Sequence, residues 1–398
     1  PAAVVLELSC PVQTYHWGKK GTSSLVAQLA SQGGHLSDVD EKTTYAELWM
    51  GTHPTRPSKI KGTEQTLADW ILEHPESLGE GVRGTFGGQL PFLFKVLSVD
   101  TALSIQAHPA KGMAALLHSS QPDKYPDANH KPEIAIALTE FDAFCNFRPL
   151  PEIAHLIKGL PELRAILGEE AELPLHDKEA LQRCFRKLMT TPPDVFIPML
   201  KKMADRLRNS ASTSIVSKDL ANVFLKIYTT YPEDIGCFVI FFLNFIRLSP
   251  GEALFLAANE PHAYISGNCV ECMACSDNVV RAGLTPKFKD VDTLCSMLSY
   301  NSIPVSDVRF PATPRDIQCC SFEPPIPDFA VNKIQVPAGG SYTPKSVPSA
   351  SILLVIEGEG RVGAKAVKRG SILFLVAGKA AAISATEAMQ IYQAYSPA

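Results

Sequence analysis

Residues 177–189 read DKEALQRCFRKLM, and their periodicity decides how the chain is divided. Leu181, Cys184, Phe185, Leu188 and Met189 recur at helical spacing, and Asp177 stands where a cap belongs. A second stripe, Leu220, Val223, Phe224, Ile227 and Tyr228, starts after Asp219. Stripes of this kind normally bury a helix face in a core rather than line a ligand groove. Outward from this block the period changes from 3.6 to two. Residues 90–97, 101–108, 133–138, 252–265, 269–282, 351–357 and 371–377 read as strands. The 31 prolines cluster between the apolar runs, as turns between short strands require. Glycines at 339–340, 358–360, 370 and 378 punctuate the tail from about 335 into a compact antiparallel barrel or sandwich. The expectation is a mainly β chain with an inserted helical region at about 150–248.

Composition narrows the function classes. The 398 residues are 45% hydrophobic and 20% charged, which suits a globular chain of more than one domain. With 37 Lys+Arg against 41 Asp+Glu, net charge −4, no basic excess favours a nucleic-acid partner. The longest apolar stretch, Cys237 to Ile246, is about half of a membrane span. The start, PAAVVLELSCPVQ, shows neither a basic segment nor a long apolar one, so no signal peptide is expected. Ten cysteines in such a chain suit reduced thiols in a cytosol.

Two motifs mislead. Gly79, Gly81 and Gly84, and again Gly358, Gly360 and Gly363, spell GxGxxG. A dinucleotide site needs strand, glycine turn and helix in that order, and neither place offers it. Cys269, Cys272 and Cys275 spell CxxCxxC. On a strand, Cys272 faces away from the other two, so three thiolates cannot converge on one metal; buried apolar cysteines are the simpler reading.

The chemistry concentrates elsewhere. In LSIQAHP (103–109) alternation puts Ser104, Gln106 and His108 on one face, Gln106 and His108 about 7 Å apart along the strand. NHKPEIAIAL (129–138) places Glu133 at a strand start, facing away from Ile134 and Ile136. NEPHAYISG (259–267) offers His262 with Tyr264 on its face. Two imidazoles, a carboxylate and an amide oxygen make a plausible zinc shell. Spacing alone favours satisfied polar groups over ligands. Fe(II) would suit the same donors, so an Fe(II) dioxygenase is one alternative, and a non-catalytic sugar-binding protein another.

The chain resembles the type I phosphomannose isomerases over nearly its whole length. The matching segments are YHWGKKGTSS (15–24), YAELWMGTHP (45–54), PFLFKVL (91–97), LSIQAHP (103–109), HKPE (130–133) and ECMACSDNVVRAGLTPK (271–287). It is most similar to the eukaryotic branch. The resemblance implies two cupin-type, jelly-roll-like β-barrels plus a helical domain. Residues 1–149 and 251–334 would be the two parts of the catalytic cupin, 150–250 the helical insert and 335–398 a C-terminal cupin-like β domain. It implies one Zn²⁺ per chain on Gln106, His108, Glu133 and His262, with Arg281 as the active-site arginine.

The implied reaction interconverts mannose 6-phosphate and fructose 6-phosphate through an enediol(ate), feeding GDP-mannose and glycosylation. A proton must leave C2 and arrive at C1. His130, Lys131, Glu271 and Asp277 are candidates for moving it. A divalent cation beside Lys131 would disfavour its charged form, although contact with substrate is an equal role for it. Arg281, always charged, suits electrostatic stabilisation rather than proton abstraction. Lys95, Lys287 and Ser104 are candidates for the phosphate, placed at the rim, with a snorkelling role the other reading of Lys95. Trp17, Glu47 and Tyr264 are candidates for lining the pocket, with turn packing an equal reading of Trp17 and Glu47. The expected partner is a small sugar phosphate, met by a cytoplasmic monomer without nucleic-acid or membrane partners.

Overall fold

A computed structural model describes residues 5–210 and 215–398. The opening four residues of PAAVVLELSCPVQ and residues 211–214 of the inserted region lie outside the described residues. The fold is mainly β. Among the described residues, sheets of eleven, eight, four and two strands accompany eleven α-helices.

The helical stripe is where its spacing puts it. Helix Lys178–Thr190 buries Leu181, Cys184, Phe185, Leu188 and Met189. Asp177 caps it, its carboxylate accepting from the Ala180 N–H at 2.8 Å. Helix Lys218–Thr230 is capped by Ser217 rather than started by Asp219: the Ser217 hydroxyl accepts from the Leu220 N–H. Asp219 points outward, 3.6 Å from Arg247. These helices share one apolar core with Phe238, Phe241 and Phe242. Strands Phe141–Phe147 and Leu243–Leu248 flank the helical run and pair antiparallel, Phe141 opposite Leu248 and Phe147 opposite Leu243. The chain therefore leaves the β frame and returns to it at one edge.

The strand expected at 252–265 is two pieces, Ala253–Leu256 and the start of His262–Ala274. The latter runs unbroken through Gly267, where the alternating pattern suggests a gap. Gly267 has φ 116°, and a Cβ there would lie 2.4 Å from the Glu140 carbonyl oxygen, so only glycine lets the strand bend without ending. Before the bend it pairs with Phe141–Phe147; after it, with Phe92–Val99 and Glu133–Ala137. The strand expected at 101–108 shortens to Ile105–Ala107. In the tail, Ser351–Glu357, Ile372–Leu375 and Met389–Tyr395 share a sheet, and Val5–Ser9 joins it beside Ile372–Leu375.

The misleading motifs resolve as expected. Gly79 follows the 3-10 turn Pro75–Leu78, and Gly358–Gly363 lead into strands Gly360–Val362 and Lys365–Val367. Cys269 and Cys272 pack into different apolar clusters on opposite sheet faces. All ten cysteines are free.

Candidate metal centre

One face of the eleven-stranded sheet carries the site. Across three strands, His262 stands opposite Gln106, and Gln106 opposite Arg281. Residues directly opposite share a face, and strands lie about 4.8 Å apart. His108, two residues beyond Gln106, joins that face. Glu133 reaches it from the head of strand Glu133–Ala137, opposite Met273 and Leu256.

His108, Glu133 and His262 are buried, with ligand atoms within 4.8 Å of one another. His108 Nε2 lies 3.4 Å from Glu133 Oε1, and His262 Nε2 lies 3.5 Å from Oε2. Each imidazole is held from behind. His108 Nδ1 donates to the Asn278 carbonyl at 2.8 Å and His262 Nδ1 to the Glu260 carbonyl at 3.0 Å. A carbonyl only accepts, so both Nδ1 atoms carry hydrogen. Burial lowers the His108 pKa to about 4, leaving the ring neutral and its Nε2 a bare lone pair. Both Nε2 atoms are buried without a hydrogen-bond partner. Two lone pairs facing a carboxylate repel unless a cation sits between them. The donor set, two imidazoles and a carboxylate with Gln106 alongside, suits a divalent N/O metal, zinc among them. The carbonyls behind the rings fix the tautomer that leaves Nε2 free to ligate.

Lys131 stands at the edge of the cluster, Nζ 3.8 Å from Glu133 Oε1. The SDN turn is fastened by Asp127, which accepts from the Ser276 hydroxyl, the Asp277 N–H and the Asn278 side chain at 2.8–3.0 Å. Asp277 meets His53 Nε2 at 3.1 Å, and that contact, ahead of the opposing effect of burial, lowers its pKa. Arg281 and Lys287 line a cleft of about 210 Å³ together with Lys124, Tyr125 and Asp290. Ser104 is half-buried just before strand Ile105–Ala107. Trp17 is half-buried against the cluster that includes Leu97, Val99 and Tyr264.

Two placements differ from expectation. Lys95 is not at the rim and does not snorkel. Every residue of strand Phe92–Val99 is buried, and Lys95 Nζ pairs with Glu47 Oε1 at 2.9 Å and sits 4.7 Å over the Trp49 ring. Burial lowers its pKa, but Glu47 and Glu271 outweigh that and raise it overall. His130 does not face the metal cluster: its Nε2 meets both oxygens of buried Asp328 at 3.0 Å. Glu271, opposite Lys95 in register, accepts a hydrogen bond from the Tyr264 hydroxyl. Burial first, then the charge of Glu133, pushes its pKa up to about 8. Sequence reasoning passed over His53, Lys124, Asp127 and Glu260. The segments GTHP and KYPDANHKPE stood beside recognised residues and were the one signal for the first three.

Fold and site together define a β-rich protein with a buried candidate metal site beside a cleft lined by Lys124, Arg281 and Lys287. Family models agree. The catalytic domain of type I phosphomannose isomerase matches residues 5–150, its helical insertion domain 162–243 and its C-terminal domain 322–365. The mannose-6-phosphate isomerase of Bos taurus is 46% identical over 404 residues, 96% of each chain. That of Homo sapiens is 46% identical over 405 residues, again 96% of each. The Schizosaccharomyces pombe protein is 41% identical over 409 residues, 98% of each. Among solved structures, mannose 6-phosphate isomerase from Salmonella typhimurium bound to fructose 6-phosphate and zinc superposes with TM-score 0.85 at 30% identity, covering 100% of both chains. The chain belongs to the type I phosphomannose isomerase family. That membership displaces the dioxygenase and non-catalytic readings of the same residues.

Proposed function

We propose that this chain is a zinc-dependent aldose–ketose isomerase interconverting mannose 6-phosphate and fructose 6-phosphate through an enediol(ate). The observation that carries this is the pair of unpartnered Nε2 atoms on His108 and His262 facing Glu133. These three residues and Gln106 hold one zinc. Zinc bound there supplies Lewis-acid stabilisation of negative charge developing on the sugar's O1 and O2. Arg281, next to Gln106 in register, adds a fixed positive charge for the same oxyanion. Lys131 moves the proton between C2 and C1; its position at the edge of Glu133 supports this. Asp277 assists ring opening by holding or passing a hydroxyl proton, steadied by His53. The phosphate lies against Lys287 and Lys124 in the cleft beyond Arg281. Ser104, Trp17 and Tyr264 line the sugar's path. Glu47, Lys95 and Glu271 shape it from beneath.

The catalytic barrel is a cupin assembled from 1–149 and the first part of 251–334; the strands between Thr313 and Val336 pair instead into the sheet of the tail. The helical run is an inserted domain at 150–250, and the tail at 335–398 is a second cupin-like unit. The strand pairing on either side of the helices supports this division. Ten free thiols suit the reducing cytoplasm, where the product would enter GDP-mannose synthesis and glycosylation. No helix among the described residues is long and apolar enough to cross a membrane. A coupled assay on mannose 6-phosphate tests the reading: turnover supports it, and absence of turnover by zinc-loaded protein overturns it.

A further inference from the structure

Beneath the two imidazoles lies a polar cluster that touches no candidate ligand through its own carboxylate. Glu260 is half-buried in the turn before His262. Its Oε2 accepts from Asn146 Nδ2 at 3.1 Å, and its Oε1 accepts from the Ser299 hydroxyl at 2.6 Å and from Asn301 Nδ2 at 3.1 Å. One carboxylate thus ties three segments that are distant in sequence.

The backbone of the same turn holds both histidines. The Glu260 carbonyl accepts from His262 Nδ1, and the Asn259 N–H donates to the His108 carbonyl at 2.9 Å. Ser299 N–H donates to the Asn259 carbonyl at 3.1 Å, and Asn146 N–H to the Pro261 carbonyl at 2.9 Å. Among the described residues, four non-glycine residues have positive φ. Three of them, Asn146 (64°), Asn259 (67°) and Tyr300 (55°), lie in these segments. Such backbone persists only where its surroundings over-determine it. The turn is therefore held in a conformation it would not keep alone, and Glu260 is the side chain on which its supports converge.

We propose that Glu260 is a positioning residue for the metal centre. Its carboxylate clamps the 259–261 turn so that His108 and His262 present their Nε2 atoms at ligating distance from Glu133. The proposal rests on the metal reading above. Outer partners of ligating histidines typically influence metal affinity by about 10- to 100-fold, and this clamp acts one bond farther back, through the carbonyl that orients His262.

The test is zinc affinity, measured by competition with a chromogenic chelator on wild type, Glu260→Ala and Ser299→Ala. Thermal unfolding of each metal-free protein is followed in parallel. Glu260→Ala is expected to bind zinc about 10-fold or more weakly, and Ser299→Ala, which removes one arm, to fall between it and wild type. A merely structural carboxylate would lower the metal-free midpoint and leave zinc affinity unchanged, and that result overturns the proposal. Should Glu260→Ala fail to fold, Ser299→Ala decides: weaker zinc supports the clamp, and wild-type affinity overturns it. If the wild-type chain itself takes up no zinc, the metal reading falls and the clamp with it. Tight wild-type binding matched by both variants overturns the clamp alone.

Discussion

Two buried polar clusters share one face of the eleven-stranded sheet, a single row of residues apart, and they are satisfied in opposite ways. In one, Glu47 accepts from Lys95 and from Trp49 Nε1, and Glu271 accepts from Tyr264. Each charge there has a partner supplied by the chain. In the other, His108 and His262 aim unpartnered Nε2 atoms at Glu133. Burial of charge does not by itself mark a ligand site, since a paired buried cluster can be purely architectural. A buried acceptor left facing another acceptor is different: the fold keeps it only if something not in the chain completes it.

The comparison breaks most severely at the open cluster. His108→Ala or His262→Ala removes one of the four ligands. Zinc content should fall to near background, and turnover by about 10³-fold or more, since several kcal/mol of Lewis-acid stabilisation is lost. Metal analysis and steady-state kinetics on the same preparations check both.

The closed cluster should respond in stability instead. Lys95→Met leaves Glu47 buried without its cation. Breaking such a pair costs about 3–5 kcal/mol, read as a shift in denaturant midpoint. Zinc stoichiometry should be unchanged; loss of zinc from folded Lys95→Met would merge the two clusters into one.

Arg281 lies between the metal and the cleft, and kinetics can say which it serves. As an oxyanion donor, Arg281→Ala should lower kcat by on the order of 10²-fold with little change in KM. Lys287→Ala and Lys124→Ala, in the cleft, should mainly raise KM. A KM-dominated Arg281→Ala would move Arg281 to phosphate binding.

The smallest expected effect is a pH dependence. Glu271 is raised in the folded protein to about 8 from an ordinary 4.5. The folded chain therefore holds its proton more tightly than the unfolded chain. Its contribution to stability is complete below about pH 4.5 and is lost as pH rises toward 8. Wild type measured against Glu271→Gln should lose on the order of 1–3 kcal/mol across that window. An equal gap at both ends would show that Glu271 is ionised throughout.

What the sequence discloses of these clusters follows from range. Gln106 and His108 are two residues apart at the end of strand Ile105–Ala107, a spacing that local pattern can read. The cap at Asp177 is equally local, its partner three residues away. Lys95 was misplaced because a strand covered on both faces shows no alternation, and the carboxylate that lets a lysine be buried there is Glu47, on another strand. His130 was misplaced because nearness to Glu133 in sequence says nothing of direction; Asp328, far along the chain, captures it. Glu260 was missed for the same reason, since Asn146 and Ser299 are brought to it by tertiary structure alone.

The central claim is that the open cluster is completed by a divalent metal on which turnover depends. Its most direct test is metal content and mannose 6-phosphate isomerase activity measured together, before chelation, after chelation and after zinc is restored. The account predicts one zinc per chain, loss of turnover with its removal and recovery in proportion to zinc returned. Full turnover by metal-free protein would contradict it.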